Sequence, residues 1–299
     1  MKVAATIITY NRIGILKEAV QAVKNQTHTP DQIIVVNNGS TDGTEEWLKA
    51  QQGLDCIHQP NLGGSAGFSA GVKKAYELGA DWIWIMDDDS IPEPPALAEL
   101  LKVAGSGDIK PDPGFVCSKV TWLDGTPHLM NLPHISIFSR QGIPFNQFDH
   151  TGALLVNACS FVSVLVSVKA VKQVGLPYKE FFIWGDDSEY TQRIIKGGYS
   201  GSYVPSSVVL HKTATNYSAD IFNDDGKNLW KYKYGIRNTL FIIKKEKGAV
   251  KYFTTVLKYF FVMPFRIMKK RKDLKWTFIK TAWAATARSL SFHPKIDHI

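Results

Sequence analysis

The chain has 299 residues, of which 44% are hydrophobic and 21% charged, enough for one large or two modest globular domains with a real core. No uncharged apolar run approaches the ~20 residues that cross a bilayer, which excludes a spanning helix. The three cysteines, Cys56, Cys117 and Cys159, are odd in number and lack metal-ligand spacing; they read as reduced, buried thiols of a cytoplasmic protein.

The net charge of +8 is unevenly placed: residues 228–299 hold 17 Lys and Arg against 3 Asp and Glu, while residues 1–227 hold 18 against 24. The basicity therefore belongs to a C-terminal module.

In chain order, Lys2 to Thr9 is β-branched and apolar and reads as a strand, too soon polar for a signal peptide. Ile13 to Asn25 carries apolar residues at helical spacing, and Gln32 to Val36 is a second strand closed by Asn37-Asn38-Gly39-Ser40. A helix opens at Asp42 and Thr44, Leu54 to His58 is a third strand, Phe68 to Leu78 a helix, and Trp82 to Met86 a fourth strand. Strands and helices alternating in this way predict a parallel sheet covered on both faces. Ligands of such sheets bind beyond the carboxyl ends of the strands, where Thr9-Tyr10-Asn11, Asn37-Asn38-Gly39-Ser40 and Asp87-Asp88-Asp89 all fall.

Further on, Gly105 to Pro113 reads as a surface loop and Phe115 to Leu123 as a strand. Leu129 to His150 has little periodicity and reads as a long loop that shapes a pocket. Phe161 to Val168 is strand-like, Lys169 to Val174 a short helix, Asp186 to Lys196 a helix, and Tyr203 to Leu210 a strand leading to His211.

Four clusters carry chemistry. The apolar run Ile83 to Met86 ends in Asp87-Asp88-Asp89, and hard divalent cations take such carboxylates together with substrate phosphates. Three adjacent like charges repel unless a cation or basic partner offsets them; without one, the triplet is only a solvated acidic turn. Asn61-Leu62-Gly63-Gly64-Ser65-Ala66-Gly67-Phe68 places glycines before a helix, where backbone N–H groups suit a diphosphate, although a plain flexible turn reads the same way. In Phe181-Phe182-Ile183-Trp184-Gly185-Asp186-Asp187-Ser188-Glu189, one acid caps a helix while the other faces the pocket, where aromatic surface tunes its basicity and stacks on a sugar. His211, which is as readily a structural hydrogen-bonder, is a candidate third metal ligand through a neutral ring nitrogen.

Thr9-Tyr10-Asn11-Arg12, Asn38-Gly39-Ser40-Thr41-Asp42-Gly43-Thr44, the Asp-rich strand end and Gly185-Asp186-Asp187-Ser188-Glu189 together resemble the family 2 glycosyltransferases of GT-A fold. The resemblance covers roughly residues 1–215. Within the family, the Asn61 to Phe68 loop, the Asp triplet, Trp184-Gly185-Asp186-Asp187 and His211 look most like bacterial galactofuranosyltransferases, with rhamnosyltransferases using dTDP-rhamnose next. It implies a Rossmann-like α/β fold, mostly parallel, with helices on both faces, for a catalytic domain at 1–215; the basic, aromatic-rich remainder, 216–299, reads as a helical module.

The activity implied is inverting transfer from a nucleotide-sugar, UDP-galactofuranose, to a hydroxyl of a lipid-linked cell-surface polysaccharide. In that reading Thr9, Asn11, Arg12, Asn38, Asn61, Gly63, Gly64 and Asp88 hold the donor. Asp87, Asp89 and His211 hold Mn²⁺ or Mg²⁺, and Asp187 is the general base. Trp184, Gly185, Asp186, Arg237 and Asn238 meet the acceptor, the last two because Tyr234-Gly235-Ile236-Arg237-Asn238 resembles a segment that follows the catalytic domain in these enzymes. One departure is Asn38, where many members place Asp.

In the C-terminal module, aromatic and aliphatic residues interleave with Lys and Arg from Asn228 to Lys247 and again from Lys251 to Lys280. This suggests helices lying on an anionic membrane, which would put the protein peripherally on the cytoplasmic face of the inner membrane; a helical cap with a solvated basic face is the alternative. A specific nucleic-acid partner is not expected, because no such motif appears and the pocket motifs would have no role. A non-catalytic sugar-nucleotide-binding scaffold is disfavoured by the intact Asp87, Asp89, Asp187 and His211 set.

Overall fold

The structure, a computed structural model, describes residues 1–299. The chain divides into two compact units: Met1–Lys179 with Asp187–Tyr217 and Ile296–Ile299, and Glu180–Asp186 with Ser218–Lys295. Against the module expected at 216–299, the second unit includes 180–186 and leaves 216, 217 and the last four residues to the first unit, where Leu176 donates its N–H to the Asp297 carbonyl at 2.8 Å.

The first unit alternates β1 (Val3–Thr9), α1 (Ile13–Lys24), β2 (Gln32–Asn37), α2 (Thr44–Lys49), β3 (Asp55–His58), α3 (Gly64–Glu77) and β4 (Trp82–Asp87). These four strands pair in parallel in the order β3-β2-β1-β4. Alternation sends successive side chains to opposite faces. Trp82, Trp84 and Met86 therefore join one apolar core, and Ile83 and Ile85 the other.

The remainder is β5 (Ser90–Pro92), α4 (Ala96–Ala104), β6 (Pro113–Thr121), β7 (Leu154–Leu155), β8 (Val164–Ser167), α5 (Val168–Val174), α6 (Asp186–Lys196) and β9 (Ser200–His211). Here the sheet is mixed: β8 runs antiparallel to both β4 and β6, and β9 parallel to β6. The two reversals restore the direction of β4, so β9 delivers His211 to the same edge as Thr9, Asn37 and Asp87. Neither β5 nor α4 was expected from the sequence, where Pro92, Pro94 and Pro95 obscure the periodicity. Strand β9 pairs Val204 with Ser118 and Val208 with Lys119, so three extra residues bulge out and re-aim its second half, on which β5 pairs Ser90 with His211.

Helix α3 starts at Gly64, four residues before the expected Phe68. The reason is packing: a Cβ on Gly67 would lie 2.7 Å from Ile8 Cγ2 and 2.8 Å from Asn38 Nδ2, so this glycine lets α3 lie against β1 and β2. The segment between Thr121 and Leu154 holds only two short 3₁₀ turns, Leu129–Asn131 and Asp149–Thr151, in keeping with a long loop. All three cysteines are free; Cys117 and Cys159 are buried, whereas Cys56 is only half-buried.

The second unit contains α7 (Leu229–Leu257), a π-helical turn Lys258–Val262, α8 (Met263–Lys270) and α9 (Lys275–Leu290). Helix α7 is broken at Gly248, where φ is 79°. Its core gathers Tyr232, Ile236, Leu240, Tyr252, Val256 and Phe278. No helix is long and apolar enough to cross a membrane.

A chain of hydroxyls ties the sheet together internally. Trp84 Nε1 donates to Ser163 Oγ at 2.9 Å, Ser163 Oγ lies 2.6 Å from Ser118 Oγ, and Ser118 Oγ lies 2.7 Å from Ser207 Oγ. Ser207 in turn donates to the Ala96 carbonyl at 2.8 Å. Ser118→Ala leaves Ser163 without an acceptor and Ser207 without a donor, at an expected cost of about 1–3 kcal/mol in urea unfolding. A change within error would show that the chain contributes nothing.

Candidate active site

The three parallel strand ends lie side by side, and their polar residues are tied to one another. Thr9 Oγ1 donates to Asp88 Oδ2 at 2.7 Å, and the Asn38 N–H donates to the Thr9 carbonyl at 3.0 Å. Asn11 sits at φ 53°, in the left-handed region that asparagine tolerates. Its Oδ1 accepts from the Thr41 N–H at 2.6 Å. Buried Asn38 has its Oδ1 engaged by Gln59 Nε2 at 2.6 Å and donates from Nδ2 to the Gly63 carbonyl at 3.3 Å. An amide makes up to four hydrogen bonds, so one N–H and one lone pair remain. Asn61 Oδ1 accepts from the Gly63 N–H at 3.1 Å, and Gly63, at φ 87°, precedes the first helical residue, Gly64.

The Asp triplet is not a solvated turn. Asp88 and Asp89 are buried, and Arg12 Nη1 bridges them at 3.3 and 2.5 Å. The repulsion noted in the sequence is therefore offset by a cation of the chain itself. Burial pushes the Asp88 carboxyl up to about 6, with Asp89's charge adding to the rise and Arg12 and Thr9 opposing it. Burial acts on Asp89 in the same sense, but the hydrogen bond and charge of His211, with Arg12, outweigh it and hold this carboxyl below its ordinary range. Asp87, half-exposed at the end of β4, adds its charge to those acting on Arg12, but nowhere do three or more His, Cys, Asp or Glu side chains converge as a metal site. Of the expected metal trio, the structure joins Asp89 and His211.

Their geometry is specific. His211 Nε2 lies 3.1 Å from Asp89 Oδ1, and His211 Nδ1 lies 2.8 Å from Asn131 Oδ1. Asn131 Nδ2 donates to Ser160 Oγ at 2.9 Å, so its oxygen faces the ring and His211 Nδ1 is the N–H donor there. Nε2 then meets Asp89 either as the second N–H of a charged ring or with a bare lone pair. The charged ring is the form whose hydrogen bond and charge hold Asp89 down; with a neutral ring two electron pairs face each other, a repulsion that a bound cation would relieve. Two neighbouring ligands of an octahedral ion at about 2.1 Å sit about 3 Å apart, so the spacing fits such an ion.

Behind this pair stands His128, fully buried, its ring centroid 4.5 Å from that of His211. Thr213 donates its hydroxyl proton to the Thr215 carbonyl, so His128 Nε2 donates to Thr213 Oγ1 at 2.8 Å and Nδ1 carries the lone pair. Burial, reinforced by His211, pushes His128 down to about 4 and keeps it neutral. Neither His128 nor Asn131 stood out in the sequence, since no spacing rule links an aperiodic loop to residue 211.

Asp187, also in the first unit, accepts from the Ser188 N–H at 2.6 Å, and burial raises its carboxyl above the ordinary range. Glu189 is taken up by a salt bridge to Arg193 at 3.0 Å.

In the second unit, Phe182 and Trp184 both have left-handed φ, 68° and 66°, and Gly185 follows at 90°. Asn238, fully buried, shares its Nδ2 among the carbonyls of Phe181, Ile183 and Trp184 at 2.8–3.1 Å. Arg237 Nη2 donates to the Glu180 and Phe181 carbonyls at 2.7 and 3.2 Å. Phe182 stacks on Tyr234 with centroids 4.5 Å apart, and Trp184 meets Tyr232 edge-on. Asn238, expected at the acceptor, is thus a clamp on the aromatic segment; Asp186 is buried and Trp184 half-buried.

The α/β sheet thus gathers its polar residues, with a paired carboxylate and imidazole, at its carboxyl edge, where sheets of this kind bind ligands. The family model Glycosyl transferase family 2 matches residues 5–175, and the chain belongs to that family. It is 29% identical over 227 residues to galactofuranosyltransferase GlfT1 of Mycolicibacterium smegmatis, covering 72% of each chain. It is 27% identical over 245 residues to GlfT1 of Mycobacterium tuberculosis, covering 77% of this chain and 80% of that one. Two solved structures share the fold at 14% identity. A crystal structure of GalNAc-T7 with UDP, GalNAc and Mn²⁺ has a TM-score of 0.62 over 97% of this chain, which spans 56% of that protein. Staphylococcus aureus TarS 1-349 has a TM-score of 0.58, with 94% of this chain and 81% of that one covered.

Asn238→Ala strips the strained aromatic segment of its clamp. It is expected to lower stability by about 1–3 kcal/mol in chemical unfolding. An unchanged midpoint with a raised acceptor KM would instead return Asn238 to substrate contact.

Proposed function

We propose that the protein transfers galactofuranose, with inversion, from UDP-galactofuranose to a hydroxyl of a lipid-linked glycan, using Mn²⁺ or Mg²⁺, peripherally on the cytoplasmic face of the inner membrane. The observation that carries the reading is the Asp89–His211 pair at the carboxyl edge of the sheet. The sugar rests on the likeness to proteins named galactofuranosyltransferase GlfT1.

In this reading Thr9, Asn11 and Asn38 meet the nucleoside. The backbone N–H groups at Gly63 and Gly64, beside Asn61, face the diphosphate at a helix start, where anions are favoured. Asp89 and His211, with Asp87 nearby in sequence, hold the cation, and Arg12 holds Asp88 and Asp89 together beside it. A bound divalent ion neutralises charge on the departing diphosphate. Asp187 takes the proton of the acceptor hydroxyl, whose oxygen attacks the anomeric carbon from the side opposite UDP. Trp184, with Gly185 and Asp186, offers an aromatic face to the acceptor sugar, and Arg237 supports that segment from below.

The first test is transfer from UDP-galactofuranose and from dTDP-rhamnose to a lipid-linked glycan with and without Mn²⁺, the product anomer read by NMR. Metal-dependent transfer of galactofuranose with inverted configuration supports the reading; transfer of rhamnose alone replaces the sugar, and retention removes the single-displacement mechanism. Asp187→Asn is expected to lower kcat by about 10²–10⁴-fold with donor affinity kept. A base must be deprotonated to act, so kcat/KM falls as pH falls through the raised Asp187 pKa, and this limb lies at higher pH than an ordinary aspartate gives. Because Asn131 orients His211, Asn131→Leu is expected to weaken Mn²⁺ binding by about 10–100-fold in an EPR titration. Unchanged affinity would separate His211 from the metal.

A further inference from the structure

The second unit carries an apolar stripe that nothing in its own core uses. Val250, Phe253 and Leu257 of α7, Phe261 of the π turn and Phe265 of α8 follow one another in steps of three or four, the spacing that holds side chains on one helix face. They are 56–80% exposed. The same stretch buries a second stripe, Tyr252, Val256, Met263 and Ile267, in the core with Phe278. A helix that needs one apolar face for its fold and keeps another in solvent has a partner for the second.

The charges identify that partner. Residues 247–272 contain no Asp or Glu, and Lys251, Lys258, Lys269 and Lys272 are exposed along the same run. Two copies of the chain meeting stripe to stripe would bring these ammonium groups together, which is repulsive. An acyl layer under an anionic headgroup plane satisfies both features, because the rings enter the interface while the lysines meet phosphates.

We propose that the stripe Val250–Phe253–Leu257–Phe261–Phe265, with its flanking lysines, is the surface that docks on an anionic phospholipid bilayer. This gives the peripheral reading above a physical surface. Vesicle binding is measured without donor or acceptor, so its failure leaves the transfer chemistry untouched.

The experiment is flotation of the full chain with vesicles of phosphatidylcholine alone or mixed with phosphatidylglycerol. Two variants accompany it: Phe261→Ser/Phe265→Ser, which keeps every charge, and Lys251→Gln/Lys258→Gln/Lys269→Gln, which keeps the apolar stripe. All five positions are exposed, and circular dichroism checks that the variants fold. The wild type is expected to float with the anionic vesicles and much less with neutral ones, and each variant to bind at least about tenfold more weakly. Three results overturn the proposal: no flotation of the wild type, equal binding by the serine variant, which would leave only charge attraction to the vesicles, or a wild-type dimer in sedimentation velocity that the serine variant abolishes, which would make the stripe a self-association surface.

Discussion

Burying two adjacent carboxylates is the constraint around which the first unit is arranged. Asp88 and Asp89 lie under the sheet edge, and neither could stay charged there alone. Each offsetting group comes from a different element: Thr9 from the end of β1, Arg12 from the loop before α1, His211 from the end of β9. Bringing β9 to that edge requires two antiparallel pairings through β8, a three-residue bulge and the short strand β5. The mixed half of the sheet is thus what brings one imidazole to one carboxylate.

The second unit solves a different problem. Left-handed backbone at Phe182 and Trp184 costs about 1–3 kcal/mol per residue. The segment keeps that shape because Asn238 and Arg237 saturate its carbonyls and Tyr232 and Tyr234 pack on its rings. Both polar residues hold the aromatic ones in place.

Much of the first unit was legible because its signals are local. Apolar strands ending in Thr9, Asn37 and Asp87, and the helix Asp186–Lys196, follow from periodicity and caps within a dozen residues. What was hidden is non-local. The glycine at 67 reads as a phosphate loop and serves helix packing, because only the folded sheet shows Ile8 and Asn38 beneath it. Arg12 reads as part of a nucleotide motif and acts as counter-ion to residues more than seventy positions away. Asn131 and His128 lie in or beside an aperiodic loop, and their meaning depends wholly on the arrival of β9.

The hydroxyl chain beneath the sheet has a fixed sense. An indole N–H can only donate and a peptide carbonyl can only accept, so with Trp84 at one end and the Ala96 carbonyl at the other, each proton between them has one possible position. Ser163, Ser118 and Ser207 therefore carry no rotational disorder from a reversed arrangement, and the strands they join are locked in a single registered state. Replacement within this row must preserve donor and acceptor together in buried sites with no room for added bulk: alanine at one link strands the neighbours on both sides.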